Sequence, residues 1–411
     1  MHKLRCISCK LTFLPIRDLY TCPECGPHLG TLEVLYPYKD LANQLNAQQF
    51  RKHGSLFQFE ALLPVGSQTP VDQAVGGTPL LSFEEFKLGD RQEHVVKRLL
   101  IKHDGISFSG SFKDRASVIA MNMALAEGYR TIYCASTGNA ASSLALLTAH
   151  SALETAIFVP QSIPKGKLAQ LLAAGAKVYP IAGTYDQAFD LSMRVGFKNG
   201  WYCRNSAINP YLSEGKKTAA FEILVQNNYA VPDYCLVGVG DGTVVSALIK
   251  GFEEFYQLGL VAKVPTVIGI QAAGAATVKR VFDAGPPFIP MREEAHTLAD
   301  SICVGDPRDV IKACTYMQRN GGWFEAVSDQ QIVDAMLEMT VKTGVFAEPA
   351  GAIPYAGLKQ MLQNHRILSE HTVVLVVTGT GLKDPRPVEA RLSAPIYSID
   401  ALEGLLSGGV Q

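Results

Sequence analysis

The stretch Thr131-Ile132-Tyr133-Cys134-Ala135-Ser136-Thr137-Gly138-Asn139-Ala140-Ala141-Ser142 contains the unit from which the chain is built. A short apolar run rich in strand formers meets a polar turn with one glycine, and an alanine-rich helix begins. The unit recurs from about residue 75 onward. Strand-like runs are Val95–Lys102, Thr131–Cys134, Thr155–Val159, Lys177–Ile181, Tyr234–Val239, Thr266–Gln271 and Val373–Thr378. Helix-like stretches are Lys113–Glu127, Ala140–His150, Lys165–Ala174, Tyr185–Val195, Lys216–Gln226, Val245–Tyr256, Ser328–Lys342 and Ala350–Gln363. Alternation of this kind predicts an α/β fold with parallel or mixed sheets flanked by helices. The length of the body suits two such domains better than one sheet, with a site in the cleft between them at the carboxyl ends of strands.

The 37 basic and 38 acidic residues leave a formal charge of −1, which gives no electrostatic basis for binding nucleic acid or an anionic membrane. Apolar runs such as Val373–Val377 are far shorter than a membrane helix needs, and Met-His-Lys-Leu-Arg-Cys does not read as a signal peptide. A soluble, cytoplasmic protein is expected, with a small molecule rather than nucleic acid or membrane as its partner.

Cysteine usage divides in two. Cys134, Cys203, Cys235, Cys303 and Cys314 are scattered singly, mostly in apolar context, as reduced cysteines of a reducing compartment would be. Cys6-Ile7-Ser8-Cys9 and Cys22-Pro23-Glu24-Cys25 are instead two C-x-x-C knuckles with the spacing of a zinc ribbon. Four thiolates would close a tetrahedral, structural zinc site; two disulfides or four free thiols are the alternatives. The expected organisation is a zinc ribbon over residues 1–30, a linker or extension over 31–74, and a two-lobed body over 75–411. The smaller lobe, at about 110–200, is inserted in the larger.

Three turns carry chemistry. In Ser109-Gly110-Ser111-Phe112-Lys113-Asp114-Arg115 a lysine occupies the first turn of a helix. The helix dipole, nearby Arg115 and partial desolvation would lower its pKa and make a nucleophilic amine able to form a Schiff base. Taken alone, the pattern also describes a solvated surface lysine. In Ser136-Thr137-Gly138-Asn139 hydroxyls and free N–H groups at a helix start form a socket for a carboxylate, though an ordinary helix cap reads the same way. Val237-Gly238-Val239-Gly240-Asp241-Gly242-Thr243 follows a strand and precedes a helix, as a phosphate cradle or a plain glycine turn would. Together an imine-forming lysine, a polar clamp and a phosphate cup match pyridoxal 5'-phosphate.

Ser111-Phe112-Lys113-Asp114-Arg115, the Ser-Thr-Gly-Asn loop, Phe346-Ala347-Glu348-Pro349-Ala350-Gly351-Ala352 and Thr378-Gly379-Thr380-Gly381-Leu382-Lys383-Asp384 resemble the threonine synthase family. These are fold-type II, tryptophan synthase β-like pyridoxal-phosphate enzymes, and some also carry an amino-terminal zinc ribbon. The resemblance spans essentially the whole chain. It implies a Schiff base on Lys113, with Phe112 beside it, and Asn139 at the cofactor's phenolic oxygen. It also implies Gly238 and Gly240 to Thr243, including Asp241 and Gly242, around the cofactor phosphate, and Thr378 at the pyridine nitrogen. Ser136, Thr137, Gly138, Asn205 and Lys102 are the expected substrate contacts, and Lys113 doubles as general acid and base. A homodimer is also implied.

The implied activity is β/γ elimination or replacement on an amino acid, with O-phosphohomoserine giving threonine and phosphate. Two departures bear on the substrate. Ser107-Phe108-Ser109-Gly110 replaces the usual Asn-Pro-Thr-Gly before the lysine motif, and Leu212 stands where the family has an arginine. A bidentate arginine–phosphate contact is worth at least about tenfold in affinity, and a lysine such as Lys102, Lys216 or Lys217 is a poorer match. The alternatives are a divergent member with another amino-acid substrate, a serine or threonine dehydratase, and a zinc-bearing binding protein that has lost catalysis.

Overall fold

The computed structural model describes residues 2–89, 94–399, 402 and 405–406. Its strands are β1 (Lys3–Cys6), β2 (Thr12–Phe13), β3 (Leu32–Leu35), β4 (Leu80–Leu88), β5 (His94–His103), β6 (Thr131–Ala135), β7 (Glu154–Pro160), β8 (Lys177–Ile181), β9 (Tyr202–Cys203), β10 (Tyr234–Gly238), β11 (Thr266–Ala272), β12 (Trp323–Val327) and β13 (Thr372–Val377). They form a three-stranded sheet β2-β1-β3, a six-stranded sheet β12-β11-β10-β13-β5-β4 and a four-stranded sheet β8-β7-β6-β9. The four-stranded sheet is wholly parallel. The six-stranded sheet is parallel except at its edge, where β4 runs antiparallel to β5. This is the mixed and parallel α/β architecture read from the alternating pattern.

The expected strands and helices all form, most with ends displaced by one to three residues. Among the described residues of the body, the strands and α-helices that the alternation does not announce are β4, β9, β12 and the helices Thr277–Asp283, Val310–Asn320 and Arg386–Glu389. The first and third of these strands are edges of the large sheet, half-covered and carrying charged residues, so they lack the unbroken apolar run of a central strand. The helix expected from Lys216 begins at Leu212 instead. Gly215 explains both the shift and the packing, because a Cβ there would lie 1.8 Å from the Arg115 carbonyl oxygen. The helices Lys113–Ala126 and Leu212–Gln226 therefore meet backbone to backbone.

Central strands of the large sheet divide their side chains between two cores with the period of two that a pleat imposes. Cys235, Val237, Val374 and Val376 face the core that also holds helices Lys113–Ala126, Leu212–Gln226 and Thr243–Gln257. Leu236, Ile268, Leu375 and Val377 face the other, closed by helices Asp329–Thr343 and Pro349–Gln363. The chain leaves the large sheet after β5, builds the four-stranded sheet, and returns at β10.

The amino-terminal module extends past residue 30, since β3 pairs with β1 from Leu32↔Cys6 to Leu35↔Lys3. The segment that follows is packed rather than free: Leu56, Phe57, Phe59 and Leu62 are buried in the first core. Thr31 Oγ1 donates to Asp309 Oδ1 at 2.7 Å, and Tyr38 OH to Glu254 Oε1 at 2.8 Å. Tyr316 OH bonds the Glu33 carboxylate, so the module is docked on the body through buried polar contacts. Among the described residues no helix is long and apolar enough to cross a membrane.

Candidate active site

The carboxyl ends of β6, β10 and β13 open on a cavity of about 920 Å³ between the two larger sheets. Three sequence motifs are stitched together beside it. Phe112 N donates to Thr378 O at 2.8 Å, Thr380 N to Gly110 O at 3.1 Å, and Glu348 N to Gly379 O at 3.0 Å. A Cβ on Gly379 would lie 2.3 Å from the Glu348 carboxylate, so only glycine lets these segments close. Segments remote in sequence thus bring Lys113, Thr378 and Glu348 to one wall.

Lys113 begins its helix and is half-buried at the cavity surface. Burial pushes its amine below the ordinary lysine value, Asp241 and Glu348 oppose that shift, and Arg204 adds to it. The expected partner Arg115 plays no part. Its guanidinium is ion-paired at 2.6 Å with both Asp104 and Glu222 and faces the protein interior. Asp114 holds the divergent stretch before the lysine by accepting from Ser107 Oγ at 2.8 Å, Ser109 N at 2.7 Å and Ser109 Oγ at 2.5 Å. Ser107 and Ser109 thus fix the turn that presents Lys113.

Ser136, Thr137, Gly138 and Asn139 line the opposite rim at the start of helix Asn139–Thr148. Ser136 Oγ accepts from Gly138 N at 3.1 Å, shaping the loop. Asn139 Nδ2 donates to Glu348 Oε1 at 3.0 Å and Oε2 at 2.9 Å. Burial raises the Glu348 carboxyl, while Asn139, Lys113 and Lys383 act the other way. Glu348 is the cavity residue that sequence reasoning passed over, although the Phe346–Ala352 motif containing it was visible.

At the glycine loop, Gly238, Gly240, Asp241 and Gly242 line the cavity below the amino end of helix Thr243–Gln257. Gly242 has φ +93°, a left-handed conformation that glycine adopts without strain, and a Cβ there would come within 2.6 Å of Ala313 Cβ. Asp241 caps the turn, accepting from Thr243 N at 3.0 Å and Thr243 Oγ1 at 2.8 Å. Lys216 Nζ donates to the same Thr243 hydroxyl at 2.5 Å. Burial pushes the Lys216 amine down to about 7, partly offset by Asp241. Burial opposes ionisation of Asp241, but Lys216 and Lys113 hold its carboxyl below its ordinary value. The Asp241 carboxylate in the glycine loop is thus balanced by the buried Lys216, a pairing visible only once the helix and loop are in contact.

One expected substrate contact is corrected. Lys102 is fully buried away from the cavity, ion-paired with Glu222 at 2.5 Å and donating to Thr78 O at 2.6 Å and Gln226 Oε1 at 2.9 Å. Its side-chain partners Glu222 and Gln226 come from a helix distant in sequence, so nothing adjacent to this strand lysine marks it as structural. Asn205 lines the cavity, but its amide is engaged on both sides, accepting from Ala135 N at 2.7 Å and donating to Ser192 Oγ at 3.0 Å. It is a strut for the rim. Leu212, in place of the family arginine, is buried in the core. Lys217 is committed to Glu214 and Glu254 at 2.6 and 2.8 Å.

Away from the cavity, the Sγ atoms of Cys6, Cys9, Cys22 and Cys25 lie within 4.8 Å of one another. Cys6 and Cys25 are 3.8 Å apart, and Cys9 and Cys22 3.7 Å. These are not disulfides, whose sulfurs sit about 2.05 Å apart.

The pyridoxal-phosphate dependent enzyme family matches residues 71–379. The threonine synthase of Methanocaldococcus jannaschii is 37% identical over 384 residues, covering 93% of this chain and 93% of the relative. The threonine synthase of Methanosarcina acetivorans is 34% identical over 415 residues, covering 99% of each. Among solved structures, diaminopropionate ammonia lyase from Escherichia coli superposes with a TM-score of 0.63 at 17% identity, covering 84% of this chain and 95% of that one, a likeness of fold.

Proposed function

Given that this chain belongs to the threonine synthase family of pyridoxal-phosphate dependent enzymes, we propose that it converts O-phosphohomoserine and water to threonine and phosphate. The chain is a threonine synthase-like lyase. The observation that carries the specific reading is the convergence of Lys113, Asn139, Thr378 and the Gly238–Gly242 loop on one cavity.

The residues present fit the cofactor. A primary amine whose pKa burial depresses suits Schiff-base formation, and the glycine loop at the head of a 15-residue helix suits a phosphate ester. When bound, pyridoxal phosphate supplies an electron sink that acidifies the protons of a substrate amino acid. Thr378 would offer the ring nitrogen a neutral hydroxyl, which would favour leaving-group chemistry over transamination. Asn139 would serve the phenolic oxygen, and Ser136, Thr137 and Gly138 would receive the substrate carboxylate at a helix start. Lys113, freed by the substrate amine, would take protons from the α and β carbons and return protons to the γ and α carbons. The γ carbon loses phosphate and gains a proton, and the β carbon gains hydroxyl from water, whose other proton balances the released phosphate.

The four-cysteine cluster is a structural zinc site. Zinc–sulfur bonds of about 2.3 Å in a tetrahedron put sulfurs about 3.8 Å apart, the separation that these thiols already have. All nine cysteines are free, as suits a cytoplasmic protein, and the family resemblance supports a homodimer.

The test is a steady-state assay of purified holoenzyme. Equal release of phosphate and threonine from O-phosphohomoserine is expected. Oxo acid and ammonia from serine or threonine, without phosphate release from O-phosphohomoserine, would identify a dehydratase instead.

A further inference from the structure

A second recess of about 500 Å³ opens beside the main cavity and shares with it Thr137, Gly138, Asn139, Ser301 and Glu348. A ligand held at the Ser136–Asn139 rim therefore has two directions in which to extend: toward the glycine loop, or past Asn139 into this recess. The far wall of the recess is polar and basic. It carries the hydroxyls of Ser109, Ser142 and Thr380 and the cations Lys167, Lys383 and Arg386.

Those cations are not equivalent. Lys167 is paired with Asp300 at 2.9 Å, and Arg386 with Asp384 at 2.8 Å. Lys383, half-buried, has no carboxylate within ion-pair distance among the described residues. Its Nζ reaches only the Ser142 hydroxyl, at 3.3 Å. Two carboxylates act on it from farther off and are engaged elsewhere: Glu348 by Asn139, and Asp114 by Ser107 and Ser109. A partly desolvated ammonium with one neutral partner is poorly compensated, and an anion within reach would relieve it. Helix starts add to the same field: Pro164, Gly166 and Lys167 at the head of helix Lys165–Ala173, and Pro349 at the head of helix Pro349–Gln363, also line the recess.

We propose that this recess is the subsite for the anionic group at the far end of the amino-acid substrate, and that Lys383 is its specificity-determining cation. The inference rests on the reading of a phosphate-bearing substrate. It also locates the binding charge that Leu212 does not provide, on a lysine from the carboxyl-terminal Thr378–Asp384 turn. The recess receives the phosphate ester before bond cleavage and inorganic phosphate after it; no further chemistry is asked of Lys383.

The experiment titrates holoenzyme with 2-amino-5-phosphonopentanoate, which cannot lose its phosphorus group, and with norvaline, the same carbon chain without the anion. Binding is followed through the visible absorbance of the bound cofactor, for the wild type, Lys383→Gln and Lys383→Arg. Inorganic phosphate, added as a competitor of the phosphonate, distinguishes a site for the free ion from one that needs the amino acid. Wild type is expected to favour the phosphonate over norvaline. Lys383→Gln should lose about tenfold to a hundredfold of that preference, with norvaline affinity within about twofold of wild type. Lys383→Arg should recover part of the loss and, if Lys383→Gln does not fold, stands in for it with a smaller but measurable loss. Phosphate competition that weakens in parallel supports the site. A wild-type preference that survives both substitutions overturns the inference and leaves the proposed reaction standing. Absence of preference in the wild type removes the phosphate-bearing substrate and the inference together. Loss of cofactor affinity in Lys383→Gln, with the phosphonate preference intact, also overturns it.

Discussion

Asn139 donates its side-chain amide to both oxygens of Glu348, tying the Ser136–Asn139 rim to the wall that presents Lys113. Burial favours the neutral form of that glutamate, so above the ordinary carboxylate range the native protein holds a proton that the unfolded chain has released. Stability of the apoprotein then falls as pH rises from that range to the native pKa, by at most about 1.4 kcal/mol per pH unit. Glu348→Gln removes this component. Urea midpoints should converge at the acid end and separate in favour of the variant toward neutrality; parallel profiles would refute the assignment.

Lys113→Ala should yield a folded, colourless protein with no measurable turnover. Among the described residues only this lysine stands at the cavity surface at the start of a helix, with Thr378 O fixing the preceding Phe112 N. A visible cofactor band in the variant that borohydride bleaches, leaving the cofactor covalently attached to the denatured chain, would place the Schiff base on another lysine.

Lys102, expected at the substrate, belongs to a buried network with Glu222, Arg115 and Asp104. Lys102→Met should cost about 3 kcal/mol, the lower end for a broken buried pair, because Arg115 still answers Glu222. The KM for substrate should stay within about twofold, the margin of an ordinary structural change. A large rise in KM at unchanged stability would restore the substrate role.

The same network sets an acid limit. Burial alone would raise the Glu222 carboxyl, but Arg115 and then Lys102 bring it down to about 2. Its contribution is therefore present above the ordinary carboxylate range and is lost as pH falls toward 2. Glu222→Gln should be less stable than wild type at neutral pH, with the gap narrowing on acidification. A gap independent of pH would show that packing, not charge, sustains the network.

Zinc analysis of the purified protein should find the metal in proportion to chain, and Cys6→Ser with Cys22→Ser should abolish it. Residues 2–35 are too few to hold their fold without a metal or disulfides, so the double variant should lose protection from proteolysis there. Visible cofactor absorbance should persist, since the cluster lies outside the cavity lining. Full proteolytic resistance without metal would sink the structural role.

Local pattern made the repeating strand–turn–helix units legible, because apolar strands and turn residues report on nearest neighbours. The Lys113 turn, the Ser136–Asn139 loop and the glycine loop are each continuous in sequence, and each reaches the cavity. Glu348, Lys216 and Lys102 were hidden or misassigned for a common reason: their roles depend on what a distant segment places against them. A buried lysine paired with Glu222 and a lysine beside a ligand have the same sequence neighbours. Edge strands such as β4 gave a weak signal because one side of their ladder is open.

The docking of the amino-terminal module has a consequence for the order of assembly. The hydroxyl of Thr31 is satisfied by Asp309, and Glu33 by Tyr316, partners separated from them by 278 and 283 positions. Synthesis runs from the amino end, so this segment leaves the ribosome well before the surface on which it is seated. Cys6, Cys9, Cys22 and Cys25 therefore emerge, and can draw together, while the surface that will hold them has yet to be translated. The module is a piece finished early and fitted late.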